Sequence, residues 1–279
     1  MTNTLDGIAL AAAFLALVVV CRLVFQAISA IEGYDLSYET VTNDNPAVGI
    51  RFALFLLALI LSFSQVIAPE RIHLTSDLAK IAGYGALVLA VLLASRYVTD
   101  FLILAGLDNK QEVVREKNAA VAIVEGAAYL ATAFVISGTL PSARDHIAES
   151  AYWLLIGQVL LISLGLGSRV LLPGLLKALD DHNQACALSL GGLLVASGIA
   201  LGSAVGGDST TFGNDVWTVA KFMAGWLTFM VIAQLITDRL MLPAHRLRQE
   251  VMGQANVAAG VIEGSVFVGL TLLYVFTIG

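Results

Sequence analysis

The sequence predicts an all-α, polytopic membrane protein: eight transmembrane helices, built as four parallel two-helix repeats in two pseudo-symmetric halves. Three observations lead there. The 279 residues are 58% hydrophobic and only 13% charged, where a soluble domain carries roughly a quarter charged residues. Mean hydropathy is +0.85. The apolar residues fall into eight long runs, and the chain matches itself without gaps at a shift of 138 residues.

The apolar runs cover 7–31, 46–67, 78–107, 119–140, 151–176, 185–206, 216–243 and 257–278. Each has about 20 residues or more, enough for a helix to cross a ~30 Å hydrocarbon core. The first lacks a basic leader and is too long for a signal-peptide core, so it reads as a helix. The second opens at Asn45-Pro46, the fourth at Asn118, the sixth at Asn183 and the eighth at Asn256. The third and seventh each carry Thr-Asp near their ends, at Thr99-Asp100 and Thr237-Asp238.

The internal match is carried by polar residues, which this composition does not pair by chance. Asp77, Thr99, Asp100, Gln111, Glu112, Asn118, Glu125 and Gly126 fall on Asp215, Thr237, Asp238, Gln249, Glu250, Asn256, Glu263 and Gly264. Residues 1–140 therefore form a first half and 141–279 a second. Each half divides again, because NPAVGIRFA, NAAVAIVEG, NQACALSLG and NVAAGVIEG share Asn, Ala two later and small residues four and eight later. The unit is a long helix, a polar connection and a second helix opening on Asn.

Lysine and arginine set the expected orientation. Lys110, Arg115, Lys117, Arg169, Lys177, Arg239, Arg246 and Arg248 lie in or beside the connections within units, against Arg71 and Arg144 on the other side. Those connections are expected in the cytoplasm and both termini in the periplasm. The first connection, IEGYDLSYETVTNDN, has no basic residue.

The four Asn residues have two compatible readings. Asn is a strong N-cap, and Pro46 suits the first helical position. Four symmetric amides could also line a vestibule. The small residues that follow, Gly49/Ala53, Ala122/Gly126, Ala187/Gly191 and Gly260/Gly264, form faces that let helices approach closely in lipid.

Glu125 and Glu263 lie seven residues past Asn118 and Asn256, about 10 Å into the membrane at 1.5 Å per residue. A charged side chain at that depth costs on the order of 3 kcal/mol, so each acid needs a proton, a partner or water. One reading is an interhelical hydrogen bond or ion pair that fixes register, with Arg22, Arg51 and Arg96 as candidate partners. The other is an ion or proton site near one axis shared by the two acids. Asp100 and Asp238 are either solvated helix ends or further ion-binding acids.

A net charge of −6 argues against a nucleic-acid partner, since phosphate binding needs clustered Lys and Arg. Cys21 and Cys186 have no CxxC spacing and imply no disulfide. His73, His146, His182 and His245 are scattered over both sides, so no metal site is expected. No HExxH, GxSxG or phosphate-binding glycine motif occurs, so neither an enzyme nor a cofactor is expected.

The Asn-x-Ala openings, with Glu-Gly seven and eight residues later, resemble the bacterial inner-membrane family called domain of unknown function 350, or YjfL-like. Members of that family are typically one half, with four helices, and this chain resembles two such halves fused. The resemblance implies an integral inner-membrane protein and assigns no activity. The functional expectation is an ion- or proton-conducting or coupled membrane protein with a central acidic pair. The alternative is a non-transporting scaffold in the bilayer that docks a protein partner through its cytoplasmic connections. Homo-oligomer formation stays open.

Overall fold

A computed structural model describes residues 4–66, 74–140, 147–206, 212–241 and 245–278. Arg71, Arg144, His73 and His146 lie outside them. The described residues form α1 (Thr4–Ile31), α2 (Pro46–Val66), α3 (Leu74–Val98), α4 (Ala119–Thr139), α5 (Ile147–Leu171), α6 (Leu175–Asp180), α7 (Gln184–Val205), α8 (Phe212–Leu240), α9 (Leu247–Met252) and α10 (Val257–Ile278). Eight of these, all but the short α6 and α9, contain segments long and apolar enough to cross a membrane. Single π-turns occupy Tyr38–Thr42, Thr99–Ile103 and Gln111–Arg115.

Two spans end earlier than their apolar runs. α5 stops at Leu171 rather than near 176, because Pro173 cannot continue a helix and Gly174 takes φ +88°. α3 passes at Val98 into the Thr99–Ile103 π-turn, and the chain then turns at Gly106, φ +111°.

The helices that follow the Asn residues stand in an open row: α2 packs on α4, α4 on α7 and α7 on α10. The long helices fill the grooves beside this row. α3 lies against α2 and α4, α5 against α4 and α7, and α8 against α7 and α10, while α1 rests on α2 and α3. The two middle members of the row are the most buried spans.

Small residues make the row tight. A Cβ on Gly138 would lie 2.0 Å from the Gly202 carbonyl oxygen, and one on Gly198 would lie 2.4 Å from Ala131 Cα. Gly192 and Gly264 meet backbone to backbone, and Gly260 abuts Ala185. Gly126 faces Leu54, and Gly191 faces Ala127. Backbones this close gain dispersion contacts that lipid chains could not replace. Gly49 is the exception among the glycines expected to pack closely, for a Cβ there would meet nothing within 4 Å. It sits on the outer flank of α2, at the end of the row.

Each row helix begins in the same way. The side-chain oxygen of Asn45 accepts from Ala47 N and Val48 N, that of Asn118 from Ala120 N and Val121 N, that of Asn183 from Cys186 N and that of Asn256 from Ala259 N. The residue before each Asn has positive φ: Asp44 45°, Lys117 54°, His182 60° and Ala255 51°. This left-handed step turns the connection sharply into the helix, at a cost that only glycine would escape. The amide nitrogens point backwards and sideways. Asn45, Asn118 and Asn256 donate to Glu39, Glu112 and Glu250, each six residues earlier. Asn45 also donates to the Val113 and Val114 carbonyls, Asn118 to that of Leu179 and Asn183 to that of Val251. Every cap but the last thus ties its helix to the connection of the following unit.

Candidate functional site

The charged residues inside the bundle gather in the first half. Arg51 on α2 is fully buried and Glu125 on α4 is 1% exposed. Their Nη1 and Oε2 atoms are 3.2 Å apart. Arg51 Nη2 donates to the Tyr34 hydroxyl at 2.5 Å, and its guanidinium carbon lies 5.6 Å from the Tyr34 ring centre. Arg96, near the end of α3, donates from Nη2 to Glu32 at 2.8 Å, and its Nε is 3.8 Å from Asp100. Asn109 donates to Asp100 at 2.5 Å. Arg96 lies within electrostatic range of Glu125 and Tyr129.

Part of this network has no hydrogen-bond partner among the described residues. Arg51 Nε, Arg96 Nε and Nη1, Glu125 Oε1 and the Tyr129 hydroxyl are buried without a hydrogen bond to protein. Buried polar atoms left so are costly, and a polar site is normally completed by water or an ion. The network adjoins the surface. A cleft of about 770 Å³ is lined by Glu32, Arg96, Asp100, Asn109 and Lys110 among others. A smaller one of about 340 Å³ reaches Tyr34.

The second half keeps Glu263 and Asp238 and loses the arginines. Glu263 on α10 is 5% exposed. It accepts from Ser189 Oγ at 2.6 Å and from Gln234 Nε2 at 2.5 Å. Those two residues stand 138 positions after Arg51 and Arg96. At the same shift, Glu32, Tyr34, Asn109 and Tyr129 become Val170, Leu172, Leu247 and Phe267. Asp238 is half-buried and accepts from Arg248 N at 3.2 Å.

The two acids do not form one central pair. Glu125 lies where α2 meets α4, Glu263 lies where α7 meets α10, and α7 stands between α4 and α10. The expectation of a shared axis assumed that the halves face each other; they stand side by side instead. Of the candidate partners, Arg51 pairs with Glu125 and Arg96 joins the same cluster. Arg22 points away on the exposed face of α1.

The chain belongs to the family described as Domain of Unknown Function (DUF350). The family model matches residues 1–140, 73–179 and 144–278. The three matches overlap, consistent with tandem copies of the family domain. The chain is also similar to a UPF0719 transmembrane protein of Aquifex aeolicus (strain VF5), with 26% identity over 248 residues, 86% of this chain and 89% of that protein. No solved structure matches the chain.

Two features escaped the reading of the sequence. The partners Glu32, Tyr34 and Asn109 lie in connections, where no repeat drew attention to them. Glu112, Glu116 and His182 also come together, with ligand atoms within 4.8 Å of one another. There Glu112 accepts from Asn118 and His182 Nε2 stands 3.8 Å from Glu116. Burial pushes the Glu112 carboxyl above the usual carboxylate range, with Glu116 and Asp180 adding to the effect and the Asn118 hydrogen bond opposing it.

Proposed function

We propose that this integral membrane protein moves protons or a small cation, and that Asp100 and Glu125 of the first half carry them. One observation supports the reading above others: a cleft with Arg96 and Asp100 in its wall adjoins a buried cluster in which Arg51 Nε, Arg96 Nη1, Glu125 Oε1 and the Tyr129 hydroxyl have no hydrogen bond among the described residues. Intramembrane carboxylates that face polar, hydratable surroundings are the usual carriers in proton relays. Arg51 and Arg96 hold negative charge in the bundle interior without filling every position around it. The orientation expected from basic residues opens the cleft towards the cytoplasm of a bacterial inner membrane, with both termini periplasmic.

The second half supports the assignment by contrast. Two similar halves share the acid and the Thr-Asp pair but differ at Arg51, Arg96 and Glu32, which become Ser189, Gln234 and Val170. A purely architectural carboxylate is served by Ser189 and Gln234; two buried arginines, an aspartate and a cleft exceed that need. In this reading Glu263 braces α10 against α7 and α8.

Proton flux into liposomes containing the purified protein tests the reading. Asp100→Asn is expected to lower flux by about 100-fold, the scale of a lost acid–base group. Equal flux in the variant, or none in the wild type, would contradict it. A silent wild type would favour a scaffold that docks a protein through its cytoplasmic connections.

A further inference from the structure

We infer that the row of helices continues from one molecule into the next, with α2 of one copy packing on α10 of a second copy as α4 packs on α2 within the chain. The argument rests on an interface the molecule already repeats three times, at α2–α4, α4–α7 and α7–α10. In each, the small residue eight after Asn on the later helix meets the residue nine after Asn on the earlier one: Gly126 on Leu54, Gly191 on Ala127, Gly264 on Gly192. The same residues at the two ends of the row have no neighbour. On α2 the presenting positions are Gly49, open beyond 4 Å, and Ala53, exposed. On α10 the receiving positions Ala258 and Ser265 are exposed, and a Cβ at Gly269 would again meet nothing within 4 Å.

The outer faces of the long helices mix bulk with small residues: Leu15, Val19, Leu155 and Val159 are exposed, and so are Gly83, Ala86 and Ala90. The outer edge of α10 places Ala258, Ser265 and Gly269 at the register positions that meet a neighbour elsewhere in the row, beside the exposed Val261 and Ile262, and small residues at those positions let a helix backbone approach closely. The polar end of the interface points the same way. Asn45, Asn118 and Asn183 each donate to a carbonyl four or five residues before the next Asn. Asn256 is exposed and donates to Glu250 alone among the described residues. The matching segment at the other end of the row is Thr40–Val41, with Val41 82% exposed. A contact of this head-to-tail kind closes into a ring when its rotation allows, and two copies suffice if the ring has eight units.

Disulfide trapping tests the contact. With Cys21 and Cys186 replaced by Ala, the pair Ala53→Cys and Ser265→Cys is expected to link copies in membranes under mild oxidation. A control pair Leu15→Cys and Val159→Cys is expected to stay unlinked. Native mass spectrometry of the unmodified protein in nanodiscs gives a second reading that needs no variant. Multiples of the 29.4 kDa chain, reduced to single copies by Ser265→Trp, support the inference. Single copies of the unmodified protein, or trapping no stronger than the control, overturn it whatever the liposome flux.

Discussion

Arg51 of α2 and Glu125 of α4 form an ion pair at 3.2 Å with both side chains sealed from solvent. One half-chain later, Ser189 and Glu263 meet at 2.6 Å in the same relation, without the positive charge. The carboxylate that recurs 138 residues on thus sits once in a charged cluster and once among neutral donors. Two predictions test what that difference does, and two more test the packing of the row and the Glu112 carboxyl.

Tyr129 separates function from stability. Its hydroxyl is buried without a protein partner, and Phe267 stands at the equivalent place in the second half. An unpaired buried hydroxyl costs about 1–3 kcal/mol. Tyr129→Phe is therefore expected to raise the melting temperature in detergent while lowering proton flux. A melting temperature that falls would mean that the hydroxyl is satisfied in the folded protein.

Removing one member of the buried pair leaves the other charge stranded. Arg51→Ser, which copies Ser189, is expected to destabilise by about 3–5 kcal/mol. Arg51→Ser with Glu125→Gln should be less destabilised than the sum of the single variants. Chemical denaturation of all four proteins in the cycle measures the coupling, and additive losses would remove the pair from the account.

Packing of the row predicts opposite outcomes at two glycines. Gly138→Ala drives a methyl into the Gly202 carbonyl, 2.0 Å away, and is expected to cost about 1–3 kcal/mol as α4 and α7 part. Gly83→Ala meets nothing within 4 Å and is expected to gain about 0.5–1 kcal/mol from helix propensity. Thermal unfolding of the two variants checks both signs.

Glu112 gives a pH signature outside the membrane spans. Its carboxyl is raised by burial, so the folded protein holds that proton more tightly than the unfolded chain does. Its contribution is fully present below the ordinary carboxylate value of about 4.3 and is lost as pH rises through the raised folded value. Glu112→Gln removes this loss. Between about pH 4 and pH 7 the wild-type melting temperature is expected to fall relative to that of the variant. Parallel curves would show that Glu112 titrates as a solvated acid.

The eight spans were legible because hydrocarbon thickness leaves a length signal in the sequence. Asn118 and Glu125 were legible because the duplication repeats them at one offset. The same offset hides what differs. Arg51, Arg96 and Asp100 stand out as charge inside an apolar run, whereas Tyr129 against Phe267 is a mismatch that a search for repeated residues passes over. The side-by-side placement of the halves was not legible, since small faces at Gly126 and Gly264 fit a ring and a row equally well. The positive φ before each Asn also left no trace, for Asp44, Lys117, His182 and Ala255 share no side-chain chemistry.

The most direct test sets the two acids against each other in one assay. Proton flux is measured in liposomes for Glu125→Gln and for Glu263→Gln, each at matched, verified reconstitution. The account predicts that Glu125→Gln abolishes flux and that Glu263→Gln retains most of it. Loss in Glu263→Gln with flux preserved in Glu125→Gln would contradict it.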